Sequence, residues 1–437
     1  MLSLTHPQWV ALGIFVLSYG LIISNKIHRT FAAILGAILV AFFVLTPQQM
    51  LHYENWETLI FVFGMMTVIA TMEHSGFFRW LGLHAAKKVK LDPLKLYILF
   101  PFIAAFLAAF VDSITVMLFM ATLTIEVSKL VGIRPLPLLL AEISAANIGG
   151  ASTMVGDPPN VILGTYFHLS FMDFVRNTGP AAVIGFAITA ALFIAAYRKE
   201  IFERRKELRK HPSIIKEAIA KLHPEEAISD KHLFWVGLAG FLYVVVMLVT
   251  HHLTHMSVAT VAITGAALVM FLGGPLHKMP EVVKKVDWDT LLFFACLFLI
   301  VGAMEEVGLL KIFADMVLSG TGGNFAVIVS IILWFAAIAS SLVDNVPMAA
   351  TMAPILKHLS DSAGLSLPPL IWSAALGTDI GGNGTPIGAS ANVVALATYE
   401  QSTRKRVSWA EYCKFSYPIM VITIFALNIF LLFVHRH

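Results

Sequence analysis

Cysteine is nearly missing from this chain: Cys296 and Cys413 are the only two in 437 residues. That scarcity excludes a disulfide framework and any cysteine-based zinc site. Charge is scarce as well, at 13% of residues, against roughly 25% in a soluble domain. A 58% hydrophobic composition and a mean hydropathy of +0.81 exclude the soluble classes and describe a polytopic membrane protein. The net charge of +3 decides nothing by itself, and no nucleic acid, cofactor or metal is expected. The first apolar stretch lacks a basic flank and a small-residue cleavage site, so it reads as a retained helix.

What is present is repetition. At an offset of 232 residues, Trp56, Thr58, Glu73 and Gly76 recur as Trp288, Thr290, Glu305 and Gly308, and Val111 and Asp112 as Val343 and Asp344. Pro137, Ile148, Gly149, Gly150, Thr153, Gly156 and Asn160 recur as Pro369, Ile380, Gly381, Gly382, Thr385, Gly388 and Asn392. Apolar stretches at 8–24, 30–46, 56–74, 173–197, 232–250, 257–273, 288–304 and 416–434 approach the length of a spanning helix. The expected fold is an all-α polytopic membrane protein, with a first repeat over 1–197, a basic linker over 198–231 and a second repeat over 232–437. Each repeat holds about five spanning helices, a re-entrant hairpin and a broken helix. If both hairpin arms span, the count per half is seven. Either number is odd, so the second half runs inverted relative to the first.

Ten Lys and Arg fall in 198–231, which puts that segment in the cytoplasm and both termini outside the cell membrane. Lys26 and Arg29, the basic residues of 79–90, Lys278, Lys284 and Lys285, and Arg404 to Arg406 fall on the same side. The basic segment reads as a topology anchor; docking of a soluble ATPase partner there is the lesser alternative. Segments 77–90 and 308–318 are amphipathic and too short to span, so they are expected along the interface. His52, His251, His252 and His255 read as surface residues rather than metal ligands.

The chemistry concentrates in two pairs of segments. Asp112, followed by Ser113 and Thr115, interrupts the apolar run from Leu96 to Ile125, and Asp344, followed by Asn345, does the same in the second half. An acid there is costly in a membrane, about 2.5–3.5 kcal/mol even on a lenient scale. A cap for the following half-helix could be Ser or Asn, so two symmetric acids favour proton or cation handling as well as capping. The other pair runs from Asn147 to Asn160 and from Asp379 to Asn392, with adjacent glycines at 149–150 and 381–382. Each reads as a broken helix that offers free backbone dipoles. A glycine packing notch is the alternative for either one alone.

At these residues the chain resembles the ion-transporter superfamily of ArsB-type arsenite permeases, the melanosomal P protein, NhaD-type sodium/proton antiporters and sodium/dicarboxylate transporters. Asn147-Ile-Gly-Gly with Gly156-Asp-Pro-Pro-Asn160 looks most like the ArsB and P-protein branch. The resemblance implies a scaffold and a transport region, two hairpins and two unwound helices around the solute, and a homodimer. Dicarboxylate carriers show Ser-Asn-Thr at both tips, where this chain has Asp112 and Asp344. Two fixed carboxylates would repel a dianion, by about 4 kcal/mol per close charge pair at an effective dielectric near 20.

The function expected is therefore a secondary transporter, not an enzyme: a proton-coupled antiporter exporting arsenite or antimonite as neutral trihydroxides. Sodium/proton antiport is the first alternative and dicarboxylate symport the second. Two separated cysteines cannot make a three-thiolate arsenic site, so hydroxyls and amides would hold the solute. The expected solute cage is Ser113, Thr115, Asn147, Gly149, Gly150, Thr153, Asn160, Asn345, Gly381, Gly382, Asn383, Thr385 and Asn392. Asp112, Asp344, Asp379 and Asp157 are the expected coupling acids, Asp157 being equally a helix cap. Glu73 and Glu305 read as interfacial or structural, with gating the alternative their symmetry offers, and Glu126 and Glu142 read as structural.

Overall fold

Proline and acid or hydroxyl residues at the head of apolar runs decide where many of the helices begin. Thr46 forms a capping box with Gln49 ahead of Pro47, and Asp92 accepts from the free amides of Leu94 and Lys95 ahead of Pro93. The computed structural model describes residues 4–24, 26–254, 256–274 and 279–435. His255 and Lys278, and the side chain of His252, lie outside the described residues.

The chain is helical throughout the described residues. The first series is α1 (His6–Ser24), α2 (Arg29–Phe43), α3 (Pro47–Tyr53), α4 (Trp56–His74), α5 (Phe77–Lys88), α6 (Pro93–Ala108), α7 (Ser113–Val131), α8 (Pro135–Gly150), α9 (Pro158–Tyr166) and α10 (Phe171–Ala196). The basic segment folds as α11 (Arg198–Lys210) and α12 (Pro212–Ala220). The second series is α13 (Lys231–Thr254), α14 (Val258–Leu272), α15 (Met279–Lys284), α16 (Trp288–Glu306), α17 (Leu309–Thr321), α18 (Phe325–Leu342), α19 (Asn345–Ala363), α20 (Leu367–Gly381), α21 (Ser390–Thr403) and α22 (Trp409–Val434). The two series follow the same order of long, short and broken helices.

Among the described residues, eight helices are long and apolar enough to cross a membrane: α1, α4, α7, α10, α13, α16, α18 and α22. Two stretches expected to span, at 30–46 and 257–273, fold as helices of only 15 residues each, α2 and α14. Conversely α7 and α18, read as hairpin arms, have 19 and 18 residues. Phe42, Phe271 and Phe433 are each more than two-thirds exposed, as lipid-facing side chains are.

Packing sorts the helices into two groups. α1, α2, α4, α13, α14 and α16 pack on one another, while α6 to α10 pack with α18 to α22. Helices of small residues approach closely where α6 meets α8 and α18 meets α20. The short helices α5 and α17 each start after a glycine with positive φ, Gly76 at +83° and Gly308 at +74°. That left-handed turn explains why glycine stands at both positions of the repeat. Glu73 pairs with Lys285 at 2.9 Å.

Candidate transport site

The tips of the two hairpins are helix starts. Asp112 caps α7, accepting from the Thr115 amide and hydroxyl, both at 2.8 Å, which leaves Thr115 engaged with its own cap. Asp344 caps α19 more loosely, accepting from the Val346 amide at 3.3 Å. Both acids are therefore caps of the helices that follow them.

Asp157 also sits where a cap should be, ahead of α9, yet its side chain makes no capping hydrogen bond. Pro158 and Pro159 have no N–H to offer and the Asn160 amide goes to the Asp157 main-chain carbonyl at 3.1 Å, so the carboxylate is left to other donors. It accepts from Ser113 Oγ at 2.6 Å and from Asn345 Nδ2 at 2.6 Å. Ser113 and Asn345 are the same position in the two repeats. One acid therefore joins both hairpin tips. Asp157, Asp379, Ser113 and Asn345 are all at most 4% exposed.

Around this junction the two broken helices exchange amides. Asn147 Nδ2 donates to Asn383 Oδ1 at 2.8 Å and Asn392 Oδ1 at 3.1 Å, and Asn383 Nδ2 reaches the Ser144 carbonyl at 3.3 Å. Asn160 spans its own break, donating to the carbonyls of Gly150 and Thr153, and Asn392 does the same to Gly382 and Thr385. Thr153 and Thr385 close each break onto the preceding hairpin, through the carbonyls of Ala109 and Ser341. The side chains left without a partner in this region are predominantly acceptors: Asn147 Oδ1, Asn160 Oδ1 and both oxygens of Asp379, with the Ser144 hydroxyl beside them. No Lys or Arg lies among them.

Several expected cage residues have a different role. A Cβ on Gly149 or Gly381 would run into the backbone of Ala105 or Ala337, so these glycines serve helix packing. Gly150 makes room for the Asp157 side chain, and Gly382 for the backbone of Gly388. Glu142, read as structural, is buried and takes one hydrogen bond, from Thr124 at 2.6 Å.

Arg29 was the unexpected member. Its guanidinium donates to Asp344 at 3.0 Å, to Ser390 and to Thr290 at 3.0 Å, and lies 5.1 Å over Phe293. It is the one ion pair among the described residues that ties the α1, α2, α16 group to the hairpin group. The pair borders a cavity of about 520 Å³ lined also by Ile114, Asp287, Asp289 and Ile387. The expectation of two uncompensated tip acids is corrected here: Asp344 has its counter-charge within the protein. The sequence hid this because position 29 recurs as Val261, so the repeat gave no signal and the arginine looked like a topology charge.

Arg29→Ala should lower the thermal unfolding midpoint of detergent-purified protein well beyond Lys285→Ala. Removing one partner of a buried pair costs about 3–5 kcal/mol, and less at this partly exposed site. A double Arg29→Ala, Asp344→Ala variant should recover part of the loss. Equal midpoints for the two single variants would show that the Arg29 contacts contribute nothing.

Paired broken helices, packed between hairpins inside a many-helix apolar bundle, define a polytopic membrane transporter rather than an enzyme. Residues 19–377 match the citrate transporter (CitMHS) family, and the chain belongs to it. An uncharacterized transporter of Mycobacterium tuberculosis is 34% identical over 394 residues, 89% of each chain. A 46 kDa membrane protein of Mycobacterium leprae is 31% identical over 97% of each. The human P protein is 31% identical over 95% of this chain and 58% of its own length. In fold the chain is similar to the YdaH transporter of Alcanivorax borkumensis, with a TM-score of 0.52 at 12% identity over 98% of this chain and 97% of that one. These matches support the superfamily expected from the motifs and lend the arsenite branch no support.

Proposed function

We propose that the chain is a proton-coupled secondary antiporter whose solute binds between the broken helices α8–α9 and α20–α21. The observation that carries this reading is the set of buried acceptors without donors, Asn147 Oδ1, Asn160 Oδ1 and the Asp379 carboxyl, with no Lys or Arg among the buried described residues. Buried acceptors demand donors, each one left unpaired costing about 1–3 kcal/mol. A proton, a small cation or a neutral solute rich in hydroxyls would meet that demand; a bare polyanion would not. Arsenite and antimonite trihydroxides and sodium are the solutes of that kind. Asp157, bound to both tips, and Asp379 beside it are the coupling pair, with Asp112 the acid left at the first tip.

In this reading the two halves are inverted repeats, with the basic α11 and α12 in the cytoplasm and both termini outside. The hairpin group moves against the group containing α4 and α16. A second reading, carboxylate transport, is favoured by Arg29 at the cavity and by the family's description as citrate transporters. A dianion would have to displace Asp344 from Arg29.

The test is proton flux in proteoliposomes with arsenite, antimonite, sodium, citrate and succinate in parallel. Flux driven by the trihydroxides or by sodium supports the first reading. Flux driven only by citrate or succinate selects the second, and solute movement without any proton movement removes proton coupling.

A further inference from the structure

The repeat allows one half to be read against the other atom by atom. Asn392 spends both its N–H groups on the carbonyls of Gly382 and Thr385, at 2.7 and 2.9 Å. Its Oδ1 therefore points away from that break, where Asn147 Nδ2 donates to it at 3.1 Å. Asn160 is the same position in the first half and is held the same way, donating to Gly150 and Thr153 at 3.0 and 2.9 Å. Turning its amide round would set oxygen against two carbonyl oxygens, so the orientation is fixed. Asn160 Oδ1 then awaits a donor from the residue that corresponds to Asn147.

That residue is Asp379. α20 packs against α9 as α8 packs against α21, and by the repeat Asp379 is then to Asn160 what Asn147 is to Asn392. An ionised carboxylate has no hydrogen to give. Accordingly Asn160 Oδ1 and both Asp379 oxygens lack a hydrogen-bond partner in the structure, although each residue is 0% exposed. Asn345, whose side chain neighbours Asp379 as well, donates to Asp157 at 2.6 Å. The buried acids on the elements packed against α20 are Asp157, at the head of α9, and Glu142, on α8.

We propose that Asp379 and Asn160 form a proton site, in which the protonated Asp379 carboxyl donates its O–H to Asn160 Oδ1. The proton recreates across α20 and α9 the contact that Asn147 makes permanently across α8 and α21. One contact of the pair is thus fixed and the other switchable, and loss of the proton frees α9 from α20. A bound metal cation fits less well: no three His, Cys, Asp or Glu among the described residues converge on such a site, and a hard cation needs several oxygens. This assignment rests on the proton-coupled reading above and names the atoms that would carry it.

Infrared spectra of the reconstituted protein test it without any solute. The wild-type protein at neutral pH should show a protonated-carboxyl band that disappears in Asp379→Asn and shifts in frequency in Asn160→Ala. Asp379→Asn, which supplies a permanent donor, should also raise the unfolding midpoint, while Asp379→Leu should not. An unchanged carboxyl band in Asp379→Asn would overturn the proposal, and so would an unshifted one in folded Asn160→Ala. The band behaving as expected in a protein that moves no protons with any solute would instead defeat the coupling mechanism and leave the site standing.

Discussion

Asp157→Ala is expected to reduce transport at least about a hundredfold and to lower stability. The carboxylate is the shared acceptor of Ser113 and Asn345, the matching tip residues of the two hairpins. Without it a hydroxyl and an amide, at 2% and 4% exposure, would each lose an acceptor. Hydrogen bonds to a charged group contribute about 1.5–3 kcal/mol each, so the pair amounts to roughly 3–6 kcal/mol. The lower end of that range already corresponds to a factor above one hundred. Asp157→Asn separates position from charge: its carbonyl can still accept from Ser113, but its own amide then confronts that of Asn345. It should fold, with a midpoint between those of Asp157→Ala and the natural protein, and still fail to couple solute to protons. Proteoliposome flux and thermal midpoints on both variants decide this. Natural flux in Asp157→Asn would make the residue a spacer between the tips.

The tips and breaks were legible in the sequence because each violates a local rule twice, at one offset. An acid in an apolar run and a pair of glycines before a proline are costly in a membrane, and duplication excludes accident. Side-chain direction was not legible. Asp157 ahead of two prolines reads as a cap, but the prolines remove the first two amides, the Asn160 amide goes to the main-chain carbonyl, and tertiary donors occupy the carboxylate. Arg29 was illegible for the opposite reason: it breaks the repeat instead of following it, and a lone arginine at a helix start fits the positive-inside pattern equally well. Helix lengths were misjudged where hydropathy continues through a turn, as after Phe43. There Val44 leaves helical geometry and Thr46 begins the next cap.

The same distinction between local rule and tertiary contact sets the expected outcome at Gly149 and Gly381. An ideal Cβ on Gly149 would lie 2.1 Å from the Ala105 carbonyl oxygen and 2.5 Å from its Cα. On Gly381 it would lie 2.4 Å from the same two atoms of Ala337. Ala105 and Ala337 are again one repeat apart, so both halves rely on the same close approach of helix backbones. A flexible side chain could yield to a new methyl; helix backbone cannot without moving the helix. Overpacking costs roughly 1–3 kcal/mol and more where nothing can shift. A displaced α8 or α20 would carry Asn147 or Asp379 with it, two residues away on the same helix. Gly149→Ala and Gly381→Ala should therefore lower the unfolding midpoint strongly and cut transport more than tenfold. Gly13→Ala and Gly20→Ala, in α1 with nothing within 4 Å of the added methyl, are the controls. On helix propensity alone these two should be neutral or stabilising, by up to about 1 kcal/mol. If all four variants behaved alike, the backbone contact of α6 with α8 and of α18 with α20 would not be what positions the polar core.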